Sequence, residues 1–232
     1  MNQTLFGVYP YIAVSVFLLG SLVRFEYGQY TWRTGSSELL RRRLLVVGSN
    51  FFHIGILAIL AGHFVGLLTP HAVYTGIGIT VEAKQLAAMG FGGAAGVLSF
   101  VGLSLLIYRR LADARIRATS SAMDIAILLM LWVQLTMGLG SIFVSAQHLD
   151  GSEMLVLADW AQRIVTFRPG AAAAMQNASL IFKLHILLGL TILLVFPFSR
   201  LVHIWSAPVT YVGRRYQIVR RRGGATAERG RG

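Results

Sequence analysis

From Leu44 to Leu68 the chain runs apolar with no charged residue. At ~1.5 Å of helix per residue, that is long enough to cross a hydrocarbon layer of ~30 Å. Inside it, the stretch FFHIGILAILAGHFVGLL at Phe51–Leu68 carries two imidazoles, His53 and His63. A ring nitrogen at that depth finds no water, so it is costly unless the protein or a ligand satisfies it. Ten residues separate the two, which is roughly 15 Å along a helix and about 80° around it. They sit at two depths, and one metal ion cannot bridge them.

A second long run, Ile181–Trp205, holds His185 and His203. Eighteen residues at ~100° each return to the same helical face, so a single helix would present both on one side. Two antiparallel helices then pair His63 with His185 toward one surface and His53 with His203 toward the other. Each pair can supply two axial imidazoles to the iron of a haem b. The separations differ, about 15 Å on one helix against about 27 Å on the other. Tilt, and a kink where Pro197 removes a backbone donor, are expected to absorb part of that. Two other readings stand beside this one. The histidines can be ordinary bundle residues bonded to carbonyls and hydroxyls, or they can form a metal-transport path, although the spans lack the carboxylates such paths use.

The other apolar runs set the class. Spans are expected at Pro10–Val23, Leu44–Leu68, Leu86–Tyr108, Asp124–Ala146 and Leu180–Trp205, giving an all-α integral membrane bundle of five transmembrane helices. Residues 1–222 form one membrane domain, and 223–232 a disordered basic tail. The first span carries no positive charge ahead of it and Arg24 behind it, so it reads as a retained helix rather than a secretory signal. Of the 21 Lys and Arg residues, five lie in 24–43, four in 109–117 and eight in 200–231, all on one side of such a bundle; Lys84, Arg163, Arg168 and Lys183 lie on the other. The positive-inside rule therefore puts the amino terminus outside and the carboxyl terminus in the cytoplasm. His63 and His185 then face outward, and His53 and His203 inward. The net charge of +12 flanks the spans, as topology signals and lipid-headgroup contacts do, and does not indicate nucleic acid. Without cysteine, the chain holds no disulfide, iron–sulfur cluster or covalently attached haem.

Several single residues stand out. Lys84, beside Glu82 and near His71 at the outer edge, is a cationic donor placed to hydrogen-bond a quinol oxygen, or equally a lysine snorkelling to the interface. Arg200, three residues before His203, is the candidate contact for a haem propionate. His71 and His148 lie at span ends and read as structural, and Asp124 as a charge favouring a helix start. GFGGAAG at Gly90–Gly96 lets a neighbouring backbone or a flat macrocycle approach. Between spans, Met154, Leu157, Ala161 and Val165 recur at helical spacing, as on a helix lying flat at the interface and roofing a cavity. The tail Arg214–Arg222 is the candidate docking surface for a partner.

Long segments resemble a known family. They are SNFFHIGILAILAGHFVGLLTPH from Ser49, VEAKQ from Val81, SAQHLDGSE from Ser145 and FPFSRLVHIWSAPVTYVGRRYQIVR from Phe196, with YGQYTWR after the first span and RIRATSSAMD before the fourth. Together they resemble the gamma subunit, a dihaem cytochrome b, of bacterial respiratory nitrate reductase, over nearly the whole chain. The resemblance implies a multi-pass protein of the bacterial cytoplasmic membrane. It implies haem ligation by His53 with His203 on the inner side and His63 with His185 on the outer, with Lys84 at a quinol site beside the outer haem. It also implies that quinol electrons go to an iron–sulfur beta subunit and on to a molybdenum alpha subunit that reduces nitrate. Alternatives are the cytochrome b of another complex, such as a formate dehydrogenase or hydrogenase, and a haem-free transporter.

Overall fold

A computed structural model describes residues 1–28 and 40–205, and among these every regular element is helical. A π-helical turn, Gln3–Val8, leads into α1 (Tyr9–Gly28), followed by α2 (Arg42–Leu68), α3 (His71–Gly76), α4 (Val81–Ala112) and α5 (Ala114–Ala118). Then come α6 (Ala122–Ser145), α7 (Ser152–Val165), α8 (Ala171–Ala174) and α9 (Leu180–Val195). Five segments are long and apolar enough to cross a membrane: Gln3–Gly28, Arg42–Leu68, Val81–Ala112, Ala122–Ser145 and Leu180–Phe198. Two of the spans, α4 and α6, start where a side chain satisfies their free N–H groups. The Thr80 hydroxyl accepts from the Ala83 amide ahead of α4, and Ser121 with Asp124 forms a reciprocal capping box at α6.

The chain divides into two units, Met1–Val202 and His203–Gly232. In the first, α2 packs on α4, α4 on α6, α6 on α9 and α9 on α1. The α2–α4 contact is the closest, and glycine makes it possible. A Cβ at Gly55 would stand 2.6 Å from both the Ala95 carbonyl oxygen and the Ser99 amide, and one at Gly102 would stand 2.7 Å from the Gly48 carbonyl oxygen. Small residues of this kind let membrane helices gain dispersion contacts where no hydrophobic drive separates helix from lipid. Only 11% to 28% of the apolar window in each span is buried by the chain itself. The remaining apolar surface is left for surroundings outside the chain to cover.

The densest core lies between spans. Phe6, Trp160, Ala161, Ile164, Ala171, Ala172, Met175 and Ala178 cluster where α7 and α8 meet the amino-terminal turn. The Trp160 indole donates to the Phe6 carbonyl at 3.0 Å, Tyr11 to the Ile164 carbonyl at 3.2 Å, and Gln162 to the Leu67 carbonyl at 3.0 Å. The 147–179 segment thus ties together the ends of α1 and α2. The expected flat helix is α7, but its inward face is Ala158, Trp160, Ala161 and Ile164, while Val165 turns outward.

One expectation is corrected. The last span does not continue as a single helix to Trp205: α9 stops at Val195, 3-10 turns occupy Phe196–Phe198 and Arg200–Ile204, and Ser199 between them is extended. Proline supplies no N–H to the carbonyl four residues back, so the ladder fails at Pro197. Arg24 of α1 donates instead to the Pro197 carbonyl at 2.8 Å. The continuous helix on which the same-face relation of His185 and His203 rested is absent. Residues 223–232, Arg214–Arg222 and most of YGQYTWR lie outside the described residues.

Candidate functional site

His63 projects from the last third of α2 and His185 from the second turn of α9. Their ring centroids are 6.3 Å apart with planes inclined by 29°. The two helices are not among the closely packed pairs, so imidazoles rather than backbone meet between them. Two nitrogens bound end-on to one metal at about 2 Å each hold their ring centroids about 6 Å apart, and the observed separation fits that. Among the described residues no group of three or more His, Asp or Glu converges as a metal site. Two imidazoles are what axial ligation of a haem requires.

The hydrogen bonds fit ligation as well. His63 places Nδ1 2.8 Å from the Ile59 carbonyl oxygen, and His53 places Nδ1 2.7 Å from the Ser49 carbonyl oxygen. Each Nδ1 carries its proton toward the carbonyl one turn back, leaving the Nε2 lone pair for a metal, as in most histidine–metal sites. His148 shows the same bond to Val144 at 3.2 Å, so the bond alone does not mark a ligand. His185 differs. Gln134 Nε2 lies 3.2 Å from its ring Nε2 and donates to its carbonyl oxygen at 3.1 Å. His185 Nδ1 and Gln134 Oε1 are buried without a hydrogen-bond partner. Each such orphan costs about 1–3 kcal/mol. A Cβ on Gly138 would come 3.0 Å from His185 Cε1, so glycine one turn from Gln134 makes room for the ring. His203 opens the second unit; the pair brought together within the first is His63 with His185.

Lys84 is half-buried in the first turn of α4, and its Nζ sits 4.0 Å above the ring centroid of Tyr74. Tyr74 is 5% exposed and meets the His71 ring edge-to-face at 5.1 Å, which links Lys84 to His71 as the sequence suggested. Burial first, then the Glu82 charge, pushes the Tyr74 phenol above its ordinary pKa, so the ring stays neutral under the ammonium. Next to Lys84, Gln85 donates to the Ser145 and His148 carbonyls at 2.9 and 2.8 Å and closes the end of α6. At the opposite end of α6, Arg200 Nε pairs with Asp124 Oδ1 at 2.5 Å, with Arg110 3.9 Å from Oδ2. Asp124 opens the helix as expected and also anchors Arg200. Within GFGGAAG, Gly93 and Gly96 meet Ile142 and Leu139 of α6, while Gly90 and Gly92 face open space.

Gln134, Gly138 and Tyr74 were not apparent in the sequence as site residues. Gln134 carried the one usable signal, a polar side chain deep in an apolar span.

Residues 2–222 match the family described as nitrate reductase gamma subunit. The chain belongs to that family. It is 53% identical over 222 residues to the respiratory nitrate reductase 1 gamma chain of Escherichia coli, covering 96% of this chain and 98% of that one. It is 39% identical to the nitrate reductase gamma chain of Bacillus subtilis, over 95% of this chain and 99% of that one. A nitrate reductase-like protein of Mycobacterium tuberculosis is 31% identical over 96% of this chain, which spans 34% of its length. The gamma subunit is thus a multi-pass membrane component of a multisubunit nitrate reductase.

Proposed function

We propose that this gamma subunit oxidises membrane quinol near the outer face and delivers the electrons, by way of two haem b groups, to an iron–sulfur beta subunit. That subunit would serve a molybdenum alpha subunit on the cytoplasmic side. The facing His63 and His185 rings carry the reading. Haem bound there supplies a one-electron centre. His63 and His185 would hold the outer group and His53 with His203 the inner one. Ile59 and Ser49 fix the tautomers of His63 and His53 through their carbonyls. Arg200, already anchored on Asp124, would meet a propionate of the inner group.

At the outer edge Lys84 would hydrogen-bond a quinol oxygen and favour loss of its proton, with Tyr74 holding the ammonium in place. The asymmetry of lysine and arginine supports the orientation, amino terminus outside and carboxyl terminus in the cytoplasm. Quinol protons would then leave outside while electrons move inward against a field of ~2.3 kcal/mol per charge per 100 mV, conserving energy across the membrane.

The test is His185→Ala in the purified complex. The expected result is loss of one of two haems b by pyridine haemochrome assay and of quinol-dependent nitrate reduction, while reduction driven by an artificial donor persists. Retention of both haems would overturn the pairing.

A further inference from the structure

The structure assigns Gln134 as the positioning residue of His185, a hydrogen-bond partner that sets the tautomer and donor strength of this imidazole. The inference rests on His185 as an outer haem ligand. Gln134 stands mid-span on α6 and reaches α9 twice, through the carbonyl oxygen of His185 at 3.1 Å and its ring Nε2 at 3.2 Å. Bonding the carbonyl fixes the side chain to the backbone of the ligand residue itself. The packing confines both groups. Gly138 admits the ring, and a Cβ on Gly189 would stand 3.2 Å from the Gln134 amide nitrogen.

The unsatisfied atoms give the pair its chemistry. An amide donating to Nε2 leaves the ring proton on Nδ1, and that nitrogen is buried without an acceptor. Gln134 Oε1 is equally buried and without a donor. One residue thus lacks an acceptor and its neighbour lacks a donor. If His185 held a haem iron through Nε2, the amide's bond to that nitrogen would be lost and Nδ1–H would need an acceptor. His53 and His63 find theirs in carbonyls one turn back on their own helix. Among the described residues His185 makes no such bond, and Gln134 Oε1 is the unused acceptor on the residue already touching it. The present contact is at Nε2, so the Gln134 side chain and the ring would both reorient on ligation; Oε1 accepting from Nδ1–H would then pair the two orphans and leave Nε2 to the metal. An acceptor on Nδ1–H would make the imidazole a stronger donor, which would favour the ferric state of a haem held there and lower its potential.

The experiment is a redox titration of both haems in the intact complex, with EPR of each low-spin ferric signal, for wild type, Gln134→Leu and the longer, unbranched Gln134→Met. Loss of the acceptor should raise the outer haem's potential and move its EPR signal. The shift should approach a tenfold change in the oxidised-to-reduced ratio at fixed poise, about 59 mV for one electron. The inner haem is the internal control and should not move. An unmoved outer potential, or equal shifts at both haems, would overturn the assignment; if Gln134→Leu fails to assemble, Gln134→Met decides. Failure of the underlying reading looks different, because His185→Ala would then keep both haems whatever the Gln134 variants do.

Discussion

Lys84 shows how much a single contact can be asked to do. An ammonium 4.0 Å above a buried tyrosine ring gains about 0.5–2 kcal/mol from the ring's quadrupole. That suffices to hold the flexible chain in one place but not to neutralise it. Lys84→Ala should therefore abolish quinol-dependent nitrate reduction while both haem spectra and artificial-donor activity persist. Tyr74→Phe keeps the ring face and should remain near wild type. Tyr74→Leu loses it and should raise the apparent KM for quinol several-fold. Steady-state kinetics with a soluble quinol analogue separates the three, and Tyr74→Phe behaving like Tyr74→Leu would mean that the hydroxyl, not the ring face, matters. At this scale the sequence was legible for the charged and titratable residues and silent on their neighbours. Histidine in an apolar run announces a cost, whereas Gly138 and Tyr74 matter only through what stands beside them.

Helix existence followed from apolar run length, and the links between spans from where those runs end and charge gathers. The end of α9 did not. Hydropathy continues past Val195, but Pro197 lacks a backbone donor, and only the structure shows that Arg24 collects its carbonyl instead of the helix resuming. The close approach of α2 and α4 was legible in part: Gly55 nears the Ala95 carbonyl inside GFGGAAG, as that stretch suggested, whereas Gly48 and Gly102 drew no notice. A side chain at Gly102 would meet the backbone of the facing helix, which has no rotamer by which to yield. Gly102→Val should destabilise by roughly 1–3 kcal/mol or more. The expected readout is a lower thermal midpoint of the detergent-solubilised complex. Gly90→Ala, facing open space, should leave it unchanged.

At the scale of the whole subunit, the described spans bury little of one another, so stability depends on what surrounds them. Charge alone argues the sidedness, and the chain offers a clean way to test it, since it contains no cysteine. Ile77, 73% exposed between α3 and α4, lies on the link with few positive charges. Thr119, exposed after α5, lies on an arginine-rich one. Single substitutions Ile77→Cys and Thr119→Cys give the subunit one thiol each. A membrane-impermeant maleimide should label Ile77→Cys in intact spheroplasts and Thr119→Cys only after the membrane is opened. The reverse pattern would place the His63–His185 pair on the cytoplasmic side. Quinol oxidation at that pair would then release its protons inside, and the coupling of this reaction to a transmembrane gradient would disappear.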